Sequence, residues 1–219
     1  MYKCCIFDLD GTVINSIYAL NRTINLMLER LGYAAIDEEH TKIFVGDGYK
    51  KFVERALIYS GDRQLSHLDK ALQVYEEVFP QNCLYRIKAY DGMKDLLEYL
   101  KGQGIKIAVL TNKAHAQAVD NIETVYGKGF FDLITGEHQG LKRKPDPAGA
   151  LYTATTLGVK PEECLYLGDT NTDMKTGIAA GMDTVGVTWG FRDRKELEAY
   201  KPQYIVDDPK EIKGILESI

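Results

Sequence analysis

Four short, mostly apolar runs, at 4–7, 105–110, 164–167 and 184–187, constrain this chain most strongly. A strand buried on one face alternates apolar and polar residues, whereas one buried on both faces reads as a continuous apolar run. These runs are continuous, so they predict a parallel sheet covered on both sides. Weaker strand candidates lie at 132–135 and 204–206. Helical periodicity separates them. Met93, Leu96, Leu97 and Leu100 share a face that Gly102 or Gly104 ends, and further helices are expected near 114–126, 147–157, 171–180 and 209–216. Strand and helix in alternation predict an α/β fold with a doubly wound, mainly parallel sheet.

One region breaks the alternation. Between residues 16 and 86 no strand pattern stands out. Ile17, Leu20, Ile24, Met27, Leu28 and Leu31 form one apolar stripe, with Ser16 as its expected N-cap and Gly32 at its end. Phe52, Val53, Ala56 and Leu57 form a second. Leu65, Leu68, Leu72, Tyr75, Val78 and Phe79 form a third, which Pro80 is expected to stop. The stretch is too long for a loop. The expected organisation is therefore a core domain of residues 1–15 and 87–219, with an inserted α-helical cap domain at 16–86.

Composition narrows the function. A net charge of −5 offers no basic field for nucleic acid or an anionic membrane. No run approaches the length of a membrane span, and no secretory leader pattern opens the chain. Cys4, Cys5, Cys83 and Cys164 form no CxxC motif, and three of them lie in apolar runs. These features predict a cytoplasmic protein.

In such sheets ligands gather beyond the carboxyl ends of the strands. The first run is followed by Asp8-Leu9-Asp10-Gly11-Thr12. The second ends in Leu110-Thr111-Asn112-Lys113. Lys142 to Pro147 follow the 132–135 candidate, and Gly168-Asp169-Thr170-Asn171-Thr172-Asp173 follow 164–167. Taken singly, each piece has a plainer reading. Asp10-Gly11 is a common turn, Asp169, Thr111 and Asn112 are possible helix caps, and 142–144 reads as a solvated basic loop. Together they bring carboxylates, a hydroxyl and a lysine to one sheet edge. A hard cation such as Mg2+ takes oxygen ligands, and a phosphate takes a hydroxyl, helix-start amides and an ammonium group.

The pieces DLDGT (8–12), LTN (110–112), KPDP (144–147) and GDTNTD (168–173), in that order, resemble the haloacid dehalogenase superfamily and its phosphatases. The resemblance spans nearly the whole chain, and it implies a Rossmann-like core with a helical cap after the first strand. It implies that Asp8 is the nucleophile that becomes an aspartyl phosphate and that Asp10 is the general acid and base. Leu9, Asp10, Thr111, Asn112 and Lys144 would hold the phosphoryl group, with Thr111 and Lys144 offsetting its growing charge. Mg2+ would be bound by the Asp8 carboxylate, the Asp10 carbonyl and Asp169, with Asp173 orienting Lys144 or a metal-bound water.

Residues 45–57, 90–92, 111–113 and 189–192 resemble, more narrowly, phosphoglycolate phosphatase-like members. This implies a small phosphorylated metabolite as substrate, with Gly46, Asp47, Gly48 and Lys50 as specificity candidates. Lys50, Lys51 and Arg55 are candidates for a substrate carboxylate, against the plainer reading of a solvated helix face, and Arg192 either reaches the site or covers it. Asn15-Ser16 departs from the acidic residue that many relatives carry before the serine. Pyrophosphatase, nucleotidase and sugar-phosphate mutase are alternatives within the superfamily. A phosphoaspartate signalling receiver has no need of the Asp8/Asp10 pair or the cap, and a dehalogenase has no use for an acid at Asp10. A monomer or weak homodimer is expected.

Overall fold

The structure, a computed structural model, describes residues 1–138 and 140–217. The chain separates into two compact units, 1–15 with 89–219, and 16–88.

The first unit is built on a six-stranded sheet formed by β1 (Cys4–Phe7), β4 (Lys106–Ala114), β5 (Leu133–Glu137), β6 (Cys164–Gly168), β7 (Asp183–Val187) and β8 (Tyr204–Val206). Their order is β5-β4-β1-β6-β7-β8, and the pairings are parallel. The chain winds outward from β1 to β4 and β5, then restarts on the other side of β1 with β6. That reversal of direction is the switch point at which doubly wound sheets open a crevice. β2 (Ile14–Asn15) and β3 (Lys88–Ala89) form a separate two-stranded sheet.

The continuous apolar runs behave as expected, since β1 is buried throughout and so is β6. On one sheet face Cys4, Ile6, Ala108, Leu110, Cys164 and Tyr166 pack with Ala150 and Ala154 of α7 (Ala148–Thr156). Small residues let α7 lie close, because a Cβ on Gly149 would sit 2.8 Å from Leu110 Cδ1. Helices α5 (Met93–Gly102), α6 (His115–Tyr126) and α8 (Asn171–Ala179) also pack on the strands. Short helices α9 (Arg194–Glu198) and α10 (Glu211–Glu217) complete the unit.

The second unit holds α1 (Ile17–Arg30), α2 (Glu38–Phe44), α3 (Tyr49–Tyr59) and α4 (Leu68–Asn82). Ile17, Leu20, Ile24, Met27 and Leu28 bury the expected stripe of α1, which packs chiefly against α4. Gly32, at φ +78°, ends α1 by donating its N–H to Glu29 O at 3.0 Å. Three expectations change. Ser16 stands at the cap position of α1, but its side chain makes no capping hydrogen bond. Pro80 lies inside α4: the helix forgoes one N–H and runs on to Asn82, with Cys83 N donating to Phe79 O at 2.8 Å. Helix α2 was not expected. Asp37 caps it by accepting from His40 N at 2.8 Å, and Glu38 and Glu39 follow in the first turn. No described helix is long and apolar enough to cross a membrane.

Candidate active site

The carboxyl ends of β1, β4 and β6 meet in the first unit. Asp8 directly follows β1, and its N–H donates to Leu167 O at 2.8 Å, so the strand register fixes it. The Lys144 ammonium bridges Asp8 Oδ1 and Asp173 Oδ1, at 2.7 Å each, with its side chain only 3% exposed. Asn112 fixes the Lys144 backbone: its Oδ1 accepts from Lys144 N at 2.9 Å and its Nδ2 donates to Lys144 O at 3.1 Å. The Asn112 side chain thereby spans the Lys144 peptide on both sides, using one of its two N–H donors.

Asp169 is fully buried beyond β6. It accepts from Thr12 Oγ1 at 2.9 Å and from Phe191 N at 2.8 Å. Two glycines make room for it. Gly11 sits at φ +90°, where a Cβ would lie 2.2 Å from Asp169 Oδ2, and a Cβ on Gly190 would lie 2.3 Å from Asp169 Cβ. Trp189 Nε1 donates to Thr12 O at 3.0 Å, tying the same two loops together. Asp173, in the first turn of α8, accepts from Thr170 N at 3.0 Å and Thr170 Oγ1 at 2.6 Å, so one side chain caps its helix and holds Lys144.

Asp8, Asp169 and Asp173 present carboxylate oxygens within 4.8 Å of one another, the only such acidic cluster among the described residues. Burial pushes Asp8 up to about 7; Asp173 and Asp10 add to the rise, and Lys144 opposes it. Burial, then Asp173 and Asp8, also hold Asp169 well above the usual carboxylate range. Burial works to lower Lys144, but Asp173 and Asp8 keep it well above its ordinary value and charged.

The Asp10 carboxylate points elsewhere. Its Oδ1 accepts from Lys113 Nζ at 2.6 Å, and Lys113 also donates to the buried Asn121 Oδ1 of α6 at 2.7 Å. Lys113 had no role in the sequence expectations; its place beside Thr111 and Asn112 at a strand end was the signal available there, and in the fold its side chain is only 4% exposed. Thr111 is buried, and its Oγ1 accepts from Lys113 N at 3.2 Å, which leaves its own proton to donate. Leu9 is buried, and its carbonyl accepts from Val13 N and Ile14 N to close the turn after β1. Asp8, Lys144, Asp169 and Asp173 thus converge, while Asp10 and Thr111 meet at Lys113. The trio of carboxylates includes Asp173 rather than the side chain of Asp10.

Gly46, Asp47, Gly48 and Lys50 belong to the helical unit, around the start of α3. Gly46 and Gly48 take φ +116° and +85°. Asp47 Oδ2 accepts from Arg55 Nη2 at 2.5 Å, and Arg55 Nη1 donates to Phe44 O at 2.9 Å. Lys50 is exposed, and Lys51 pairs with Glu54 at 2.7 Å. In the core, Arg192 pairs with Glu196 at 3.2 Å.

Fold and site together define a class, an α/β protein with its acidic centre at the switch point of a doubly wound parallel sheet. The chain belongs to the haloacid dehalogenase-like hydrolase family, whose model matches residues 5–187. It is 33% identical over 212 residues to a phosphoglycolate phosphatase of Colwellia psychrerythraea, covering 94% of this chain and 93% of that one. It is 31% identical over 209 residues to a phosphoglycolate phosphatase of Pseudomonas putida, covering 94% and 76%. Among solved structures, one described as a predicted phosphoglycolate phosphatase from Haemophilus somnus superposes with a TM-score of 0.90 at 26% identity, covering 98% of both chains.

Proposed function

We propose that this phosphatase cleaves a small phosphomonoester through an aspartyl phosphate on Asp8, and that phosphoglycolate is its favoured substrate. The observation that carries the reading is the buried Lys144 bridge between Asp8 and Asp173, beside Asp169. A lysine so placed holds Asp8 in one rotamer and keeps positive charge where phosphoryl oxygens would gather. Thr111 would donate its free proton to the same oxygens. Asp10, held by Lys113 away from the carboxylate trio, would pass a proton to the leaving oxygen and later take one from water.

The donor set fits Mg2+. Asp8, Asp10, Asp169 and Asp173 outnumber Lys113 and Lys144 by two charges, and all of them offer hard oxygen atoms. Asp8, the Asp10 carbonyl and Asp169 would hold the ion, with Asp173 orienting Lys144 or a metal-bound water. When bound, Mg2+ would neutralise charge on the phosphoryl oxygens and on the crowded carboxylates. The names of the relatives support phosphoglycolate. Substrate choice we assign to the helical unit, with Gly46, Asp47, Gly48 and Lys50 as its candidate residues. The four free, buried cysteines support a reducing cytoplasmic setting.

The test is a panel of phosphoglycolate, pyrophosphate, hexose phosphates and p-nitrophenyl phosphate, run with and without Mg2+. Wild type should prefer phosphoglycolate and need the ion. Asp8→Asn should lose roughly 10^4-fold or more in kcat. Undiminished turnover in that variant would remove Asp8 as nucleophile, and preference for a bulky ester would overturn the substrate.

A further inference from the structure

Tyr166 of β6 pairs in register with Ile6 of β1 and is 0% exposed. Its ring belongs to the apolar cluster with Cys4, Ile6 and Leu110. Side chains two apart share a sheet face, so Asp8 follows Ile6 on the face that carries this ring. The Tyr166 hydroxyl is the one buried side-chain nitrogen or oxygen among the described residues with no hydrogen-bond partner. Such a group is costly, and phenylalanine would fill the same volume without it. Packing therefore explains the ring but not the oxygen.

The charges that act on this hydroxyl are those of the active site. Burial drives the phenol well up, Lys144 draws it down both by its charge and as a nearby donor that makes no full hydrogen bond, and Asp173 and Asp8 push it up. An ammonium group has three N–H donors, and the Lys144 bridge uses one on Asp8 and one on Asp173. A third donor is left, and Tyr166 is a buried neighbour on whose oxygen Lys144 acts. We propose that Tyr166 is a positioning residue for Lys144, its hydroxyl serving as the acceptor the ammonium takes up when Asp8 is phosphorylated.

This rests on the reading above. In that step an Asp8 oxygen bonds to phosphorus, the ester P–O bond breaks, and Asp10 protonates the departing oxygen. Asp8 then becomes an acyl phosphate and loses its own charge, so its hold on Lys144 weakens. Of its two carboxylate partners only Asp173 would then keep its charge, leaving the ammonium shared between α8 and the phosphoryl oxygens. A neutral hydroxyl restores a second anchor without adding a negative charge that would repel the phosphoryl oxygens. A third carboxylate there would not.

The test is Tyr166→Phe, which keeps the ring, with p-nitrophenyl phosphate turnover, thermal unfolding and orthovanadate binding by calorimetry as readouts. We expect kcat to fall about tenfold with KM within about twofold, and vanadate to bind about tenfold more weakly. The melting temperature should hold or rise, because a buried unpaired group is gone. In a Lys144→Arg background the same substitution should have little further effect. Unchanged kcat and vanadate affinity would overturn the proposal. So would a fall in both accompanied by a lower melting temperature, which would make the hydroxyl structural. Vanadate binding reads Tyr166 even if wild type turned over no ester, an outcome that would sink the phosphatase substrate reading instead.

Discussion

Asp8 and Asp10 stand two positions apart, yet their carboxylates end in different surroundings, one on Lys144 and the other on Lys113. The consequence for Asp8 can be measured. In metal-free protein its value of about 7 lies above the ordinary 3.8, so the folded state binds its proton more tightly than the unfolded chain does. Its contribution to stability is present below about pH 4 and lost as pH rises through about 7. Asp169 acts in the same direction. Mg2+ competes with those protons, so it should raise the melting temperature more at about pH 8 than at about pH 5 in scanning calorimetry of chelator-treated protein. An equal rise at both would count against a carboxylate-bound ion. The positions of Asp8, Asp10, Thr111, Lys144 and Asp169 were legible because each follows an apolar run or a marked loop. The pairing of Lys113 with Asn121 was not, since it needs α6 folded back beside β4. The two hydrogen bonds from Asn112 to the Lys144 backbone likewise depend on two segments far apart in sequence meeting in space.

At the scale of elements, the loop after β7 is the most exacting. A Cβ on Gly190 would lie 2.3 Å from Asp169 Cβ and 2.4 Å from Gly11 O, and backbone yields little. Gly190→Ala should destabilise by about 1–3 kcal/mol in denaturant unfolding and weaken Mg2+ binding with it. Gly214→Ala, inside α10 with nothing within 4 Å, should instead stabilise by about 0.5–1 kcal/mol. The opposite order would contradict the packing described for the Asp169 loop. Strands with continuous apolar cores were readable to within a few residues. β4 outran its apolar run and continued to Ala114, because Ala114 finds Glu137 of β5 across a register shift. That partner is invisible to local pattern. Helix α2 was missed because the seven residues of EEHTKIF, about two turns, carry little apolar periodicity, although Asp37 marked its start. Pro80 misled because proline's missing N–H is a local cost that the packing of α4 against α1 outweighs.

For the whole molecule, alternation of strand and helix was enough to specify a doubly wound core, and its absence at 16–86 was enough to expect an insertion. The return to the core falls after Lys88, where β3 pairs with β2, two segments too short to show a pattern. The two units should respond differently to the ion. In hydrogen exchange, Mg2+ should protect amides in 8–12 and 169–173 and leave α1 to α4 unchanged. Protection of the helical unit to the same degree would argue against a metal site confined to the core. The strand order carries a consequence for how the chain is made. β1 is a central strand, paired on one side by β4 and on the other by β6, and the Thr12–Asp169 bond spans 157 positions. During synthesis the helical unit, a continuous stretch, is complete at residue 88. The second partner of β1 arrives about 80 residues later, roughly 4–16 s at ordinary elongation rates. For that interval the apolar strand CCIF has an open edge. The nascent chain is at its most vulnerable to mispairing there, and a chaperone that shields β1 would act before the catalytic carboxylates have met.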